Sequence, residues 1–252
     1  MAFWTEPDFD EHELVQLVRD SGSGLTAIVA IHSTNLGPGA GGTRFWHYAQ
    51  PDDAMRDALR LSRGMSYKNA MAGLPMGGGK AVVLLGPGAE KTPGLLAAFG
   101  DAIDALGGRY VTAEDVGATE ADMVAISQRT PHVCGLPAAE GSIGGDPGPF
   151  TAMDIYHGIR AAVAHALGKD SVKGVHVALQ GCGSVGGGVA RLLARDGAKL
   201  TLSDLDAARA KALAAEVGGE AVASERIMGV ACDVFSPNAL GAILDEEGIA
   251  RL

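Results

Sequence analysis

The apolar run Leu25-Thr26-Ala27-Ile28-Val29-Ala30-Ile31-His32, entered through the turn residues Ser21-Gly22-Ser23-Gly24, predicts a buried β-strand. Before it, Leu14, Val15, Leu17 and Val18, in a run containing Glu13 and Arg19, fit either a short amphipathic helix or an edge strand. Leu36 to Phe45 is so rich in glycine that it reads as a flexible loop with a task beyond connection. Between Asp52 and Met65, apolar Ala54, Met55, Ala58, Leu59, Leu61 and Met65 recur at helical spacing with charges on the other face. That helix is expected to deliver Lys68 to a loop at its end. Further on, the pattern predicts a strand over Ala81–Leu85, a helix from about Pro93 to Leu106, a strand over 109–117 that runs into an acidic turn, and a short helix over Asp122–Ser127. Gly135 to Pro149 has the glycine, proline and small-residue composition of a hinge, which puts the expected domain boundary at 140/141.

The second half repeats a β-α-β order: a helix over Phe150–Leu167, a strand over Gly174–Gln180, a helix to Arg195, a strand over Ala198–Asp204 and a helix over Ala207–Val217. Its first strand runs directly into Gly181-Cys182-Gly183-Ser184-Val185-Gly186, and Asp204 follows the third glycine by 18 residues. A Gly-x-Gly-x-x-Gly at the first βα turn with an acid at that distance is the dinucleotide fingerprint. The glycines permit the tight turn, the approach of a pyrophosphate to a helix N-terminus and close helix packing, while the acid would bind the adenosine ribose diol. NAD is therefore the expected cofactor, with Gly181, Gly183, Ser184, Val185, Gly186 and Asp204 as its residues. The competing reading is a tight βα turn that binds nothing.

The candidate chemistry lies elsewhere, in Tyr67-Lys68-Asn69-Ala70-Met71-Ala72-Gly73-Leu74-Pro75-Met76-Gly77-Gly78-Gly79-Lys80, where two lysines twelve positions apart flank a glycine-rich segment. Three consecutive glycines weaken helices and strands alike, so the segment reads as a tight turn or as a place of close ligand approach. An exposed turn with two solvated lysines fits the spacing equally well. A P-loop does not fit, since that motif needs glycine at Leu74 and Ser or Thr at Ala81.

Composition narrows the class further. The chain has 252 residues, 47% of them hydrophobic, and a mean hydropathy of +0.15, enough for sizeable cores and incompatible with disorder. Its 20 basic and 30 acidic residues give a net charge of −10 and a pI near 5.1, so no nucleic-acid partner is expected. The first ten residues carry no basic region followed by an apolar core, and no stretch approaches 18 uninterrupted apolar residues; a cytoplasmic protein without a membrane partner is expected. Cys134, Cys182 and Cys232 lack metal-ligand spacing and read as free buried thiols, so no metal is expected.

Taken together, Gly37-Pro38-x-x-Gly41-Gly42-Thr43-Arg44, Tyr67-Lys68-Asn69-Ala70, Gly77-Gly78-Gly79-Lys80, Thr112-Ala113-Glu114-Asp115-Val116-Gly117, Gly144-Gly145-Asp146-Pro147 and Cys232-Asp233-x-Phe235-x-Pro237-x-Ala239-Leu240-Gly241 resemble the amino acid dehydrogenases acting on leucine, valine and phenylalanine, within the glutamate dehydrogenase superfamily. The resemblance covers nearly the whole chain. It implies an α/β protein with an N-terminal α/β substrate and oligomerisation domain over 1–140 and a Rossmann-type doubly wound dinucleotide-binding domain over 141–252, incomplete at its C-terminus. It implies a homo-oligomer that oxidatively deaminates an L-amino acid with NAD and water. Relatives continue past the region of Cys232 with a strand bearing a nicotinamide-contacting asparagine and helices that complete the side-chain pocket, whereas this chain stops at Leu252. The alternative to a full dehydrogenase is thus a shortened, catalytically weak NAD-binding relative.

The implied chemistry accounts for the residue types. The substrate carboxylate needs a fixed cation, which Lys68 supplies. Lys80, brought near another cation in a dry cleft that the hinge closes, loses proton affinity and serves as general base. Asp115 accepts and returns the amine proton and keeps the two lysines compatible. Gly41 and Gly42 offer backbone groups to the substrate. In the glutamate enzymes the residue before the equivalent Gly-Gly is a lysine that holds the side-chain carboxylate; Ala40 offers only a methyl group, so the expected substrate is apolar. Ala40 and Ala113, both small, leave room for branched aliphatic and aromatic side chains.

Overall fold

The computed structural model describes residues 3–137, 147–239, 241 and 243–252. The chain divides into two compact units, Met1–Asp146 and Pro147–Leu252. The expected boundary at 140/141, most of the expected hinge and Gly144-Gly145-Asp146 lie outside the described residues.

The first unit is built on β1 (Leu14–Asp20), β2 (Leu25–Ser33), β3 (Gly39–Trp46), β4 (Gly77–Leu84) and β5 (Tyr110–Glu114), in the order β1-β2-β4-β3-β5. The run at Leu14 is the edge strand of the two alternatives; β1 pairs antiparallel with β2 through the turn that the Ser-Gly pairs predict. β4 is antiparallel to β2 and parallel to β3, and β5 is parallel to β3. Helix α1 (Pro51–Met71) lies on one face, where Ala54 and Ala58 pack with Ile28, Ala30 and Val82. Helices α2 (Pro93–Asp104) and α3 (Glu120–Ser127) cover the other, where Phe99, Ile103, Met123 and Ile126 meet Val29, Ile31, Phe45, Val83 and Tyr110. α3 starts on a capping box in which Thr119 and Asp122 satisfy each other's backbone donors.

Two glycine-rich segments differ from expectation. Residues 39–46 form a central strand rather than a loop, and Gly77-Gly78-Gly79-Lys80 open β4 rather than a turn. The reason is crowding. A Cβ on Gly78 would stand 2.1 Å from Ser66 Oγ and 2.3 Å from Ser62 O on α1, and one on Gly79 would meet the Tyr110 ring at 2.6 Å. The glycines let the helix backbone and a buried ring lie directly on the strand, a close approach made by the protein itself. α1 also runs to Met71, so Lys68 sits in its last turn and not in a loop.

The second unit contains α4 (Gly148–Leu167), β6 (His176–Gln180), α5 (Ser184–Arg195), β7 (Lys199–Ser203), α6 (Ala207–Val217), β8 (Glu220–Ala221), β9 (Val234–Pro237) and α7 (Glu246–Ala250). Its four strands are all parallel in the order β8-β7-β6-β9, the arrangement of a Rossmann-type sheet. Val177, Leu179, Leu200 and Leu202 from the strands pack with Ile159, Val189, Leu193 and Leu213 from the helices. Among the described residues no helix is long and apolar enough to cross a membrane. The cysteines are unpaired; Cys182 is buried as expected, Cys232 is half-buried and Cys134 is exposed.

The crowding gives a direct test. Gly78→Ala should destabilise the protein by about 1–3 kcal/mol through overpacking, whereas Gly64→Ala, on an open stretch of α1, should stabilise it by roughly 0.5–1 kcal/mol through helix propensity. Urea unfolding midpoints of the two variants should therefore move in opposite directions from wild type.

Candidate active site

β4 carries Lys80 on the face that α1 covers, and the side chain is only 5% exposed. A buried ammonium needs a counter-charge, and Asp115, just past β5, supplies it with Oδ2 at 2.9 Å from Nζ. Asp115 is shared. Arg44 Nε on β3 lies 2.9 Å from the same oxygen, and its Nη1 reaches Asp57 Oδ2 on α1 at 2.7 Å. Tyr48 donates its hydroxyl to Asp57 Oδ2 at 2.8 Å, and Arg60 contacts Asp57 Oδ1 at 2.9 Å.

Burial is the largest influence on Lys80, Asp115 and Arg44 alike. It holds Lys80 below the usual lysine range, with Arg44 adding to the depression while Asp115 opposes it. For Asp115 burial alone would raise the carboxyl, but Lys80 and Arg44 hold it below its ordinary range. Arg44 is raised in spite of its burial by Asp115 and Asp57. A lysine whose proton is destabilised beside a carboxylate that stays ionised is a suitable proton acceptor.

The other expected residues take distinct places. Lys68 is exposed on the last turn of α1 and forms no ion pair among the described residues. Its neighbour Asn69 is buried and donates from Nδ2 to Gly77 O at 2.7 Å and to Ala40 O at 3.4 Å, which ties the end of α1 to β4 and β3. Ala40 is buried, and Gly42 pairs with the half-buried Ala113. Gly41 and Gly42 face protein backbone, where a Cβ would fall 1.9 Å from Gly79 O and 2.2 Å from Glu114 O; the Gly41 carbonyl accepts the Tyr110 hydroxyl at 2.6 Å. Packing therefore accounts for these two glycines, whatever backbone groups they also offer. Arg44, Asp57, Tyr48 and Asn69 were not singled out by sequence reasoning. The available signals were the arginine inside Gly41-Gly42-Thr43-Arg44, which on a buried strand must find carboxylates, and the Asp57/Arg60 spacing of three on a helix.

In the second unit the three glycines divide three tasks. Gly181 has φ +91°, which glycine adopts freely; Gly183 has open space where a Cβ would be; Gly186 lies so close to Gly181 O that a Cβ would stand 1.9 Å away. Turn, ligand approach and helix packing are thus each met, and Ser184 and Val185 open α5 at the loop. This cradle fits a dinucleotide pyrophosphate. Asp204 follows β7 and accepts from the backbone N–H of Cys182 at 2.7 Å and of Asp206 at 2.8 Å, so it also fixes the loop. Burial would raise its carboxyl, yet these donors and Arg209 hold it below the ordinary range. Burial pushes the Cys182 thiol up to about 11, which leaves it unreactive at neutral pH.

Comparison with known proteins identifies relatives of this chain. Residues 12–132 match the family described as Glu/Leu/Phe/Val dehydrogenase, dimerisation domain. A leucine dehydrogenase of Geobacillus stearothermophilus is 47% identical over 242 residues, which cover 96% of this chain and 66% of that protein. A valine dehydrogenase of Streptomyces virginiae is 42% identical, with 96% of this chain and 68% of that protein covered. The crystal structure of L-tryptophan dehydrogenase from Nostoc punctiforme superposes with a TM-score of 0.68 at 38% identity, over 96% of this chain and 68% of that one. The chain thus spans about two thirds of the length of the curated relatives it matches.

The ion pairs predict a pH dependence of stability. Asp57 and Asp115 both titrate below their ordinary value of 3.8 in the folded state, so their contribution is full above 3.8 and is lost as pH falls through the lower folded values. Asp57→Asn should have a lower urea midpoint than wild type at neutral pH, with the gap closing in acid. A gap that persists unchanged into acid would exclude a charged role for Asp57.

Proposed function

The chain belongs to the Glu/Leu/Phe/Val dehydrogenase family, and on that premise we propose that it catalyses the oxidative deamination of an apolar L-amino acid with NAD. Amino acid, NAD⁺ and water give the 2-oxo acid, ammonium, NADH and a proton. The observation that carries the reading is the buried Lys80–Asp115 pair at 2.9 Å, with Lys80 depressed and Asp115 ionised.

Lys68 holds the substrate carboxylate. Asp115 takes the proton that the ammonium group must lose before Cα can give up hydride, and returns it to the departing nitrogen. Lys80 accepts the proton of the water that attacks the imino carbon, for which a destabilised ammonium is required. NAD, held at Gly181, Gly183, Ser184, Val185 and Gly186 with Asp204 on the ribose, supplies the hydride acceptor when bound. Arg209, which an extra phosphate would require, is already shared between Asp204 and Asp206 at 3.4 Å each, so NAD is the cofactor rather than NADP.

Ala40 sets no cation beside the substrate side chain, and an unpaired carboxylate there would cost several kcal/mol. Leucine, valine, isoleucine and phenylalanine are accordingly the substrates; the names of the relatives support the first two. The description of the matched family as a dimerisation domain supports a homo-oligomer.

Absorbance at 340 nm should report NADH from these amino acids and not from glutamate. Lys80→Ala should lower kcat by about 10²–10⁴-fold while leaving NAD affinity intact; an equal loss of NAD affinity would show that Lys80 has another role. Asp204→Ala should narrow the preference for NAD over NADP, and equal use of both cofactors by wild type would refute the role of Asp204.

A further inference from the structure

The Lys80–Asp115 pair is one end of a longer row. Both Lys80 Nζ and Arg44 Nε converge on Asp115 Oδ2 at 2.9 Å, and Oδ1 has no protein donor among the described residues. Arg44 in turn spans to Asp57, which Tyr48 and Arg60 hold from two further sides. The charges alternate along the row: Lys80, Asp115, Arg44, Asp57, Arg60. Arginines stay protonated, so Arg44 and Arg60 already balance the two carboxylates. The proton on Lys80 is the surplus charge. The charged groups that face Lys80 are Arg44 from β3, Asp57 from α1 and Asp115 from beyond β5, while β2 sets Ala30 opposite it.

We propose that Arg44, braced by Asp57 and Tyr48, is a positioning residue for the deamination: its fork pins Asp115 by Oδ2, leaves Oδ1 for the substrate amine, and sets a fixed positive charge against the proton of Lys80. This rests on the reading of Lys80 as the base. A lysine at position 44 would keep the charge and lose the fork, because a single ammonium does not reproduce the two-sided donor geometry of a guanidinium. The direction in which Arg44 acts on Lys80, toward loss of the proton, agrees with this arrangement.

The test follows Lys80 itself. In protein labelled with 13Cε-lysine, its signal is identified by its absence in Lys80→Arg, and its titration is compared across variants alongside the pH profile of kcat. Arg44→Gln should move the Lys80 midpoint to higher pH, and Asp57→Asn should move it to lower pH. Arg44→Lys should leave it near wild type while kcat falls about tenfold through the lost fork. Opposite shifts from two neighbouring substitutions are not what general loosening produces. Midpoints that stay put, or that move in the same direction, overturn the proposal. If Arg44→Gln fails to fold, Asp57→Asn and Arg44→Lys decide alone: an unmoved or upward midpoint in the former, or wild-type kcat in the latter, overturns it. Lys80→Ala, assayed in parallel, separates the two levels. Retained turnover there removes the base and this inference with it, whereas lost turnover with unmoved midpoints in the Arg44 and Asp57 variants removes only the role of Arg44.

Discussion

A single carboxylate oxygen, Oδ2 of Asp115, holds two buried cations from two different strands, and the first unit is organised to make that tolerable. Desolvating an ammonium and a guanidinium costs several kcal/mol each unless the opposing charge is close and fixed. Asp115 is fixed because it follows β5, whose pairing with β3 runs through Gly42 and Ala113. Arg44 is fixed because its other side meets Asp57 on α1. The sheet order β4-β3-β5 therefore brings three chain segments to one oxygen, and α1, laid across the sheet, supports Arg44 from behind.

How far this was legible in the sequence differs between the units. The second unit follows local rules: apolar strands of five residues, a glycine fingerprint directly after the first and an acid after the second, all of which the backbone realises where they stand. In the first half Lys80 and Asp115 are legible as a pair, because a buried lysine demands a counter-charge, but the second cation on Asp115 is Arg44 and not the expected Lys68. The strands that hold them are not legible. Gly39–Gly42 and Gly77–Gly79 violate strand propensity, and they are strands because α1, Tyr110 and neighbouring backbones press on them. That pressure is tertiary and leaves no local trace. Arg44 and Asp57 were hidden for a related reason: each looks like an ordinary charge until the strand and the helix are placed together.

The same glycines connect packing to chemistry. Methyl groups at Gly78 or Gly79 would lift α1 or Tyr110 from β4, and with α1 would go Asp57, the far support of Arg44. The absence of a side chain at Gly78 is thus a condition for the charged row. In the second unit the fingerprint glycines differ from one another: Gly186 is crowded by Gly181 O, whereas Gly183 has open space at its Cβ position.

Asn69 gives α1 a mechanical character. The helix has 21 residues, about 30 Å at 1.5 Å per residue, and its first half is held to the sheet through Ala54, Ala58 and the Asp57–Arg44 pair. Asn69 clamps the opposite end to Gly77 O and Ala40 O. A tilt of about one degree around that clamp carries the start of the helix by roughly 0.5 Å over such a length, yet hardly displaces Lys68 beside the pivot. Whatever disturbs the outer end of α1, thermal motion or contact with another molecule, arrives at Lys68 strongly reduced, as at the fulcrum of a lever.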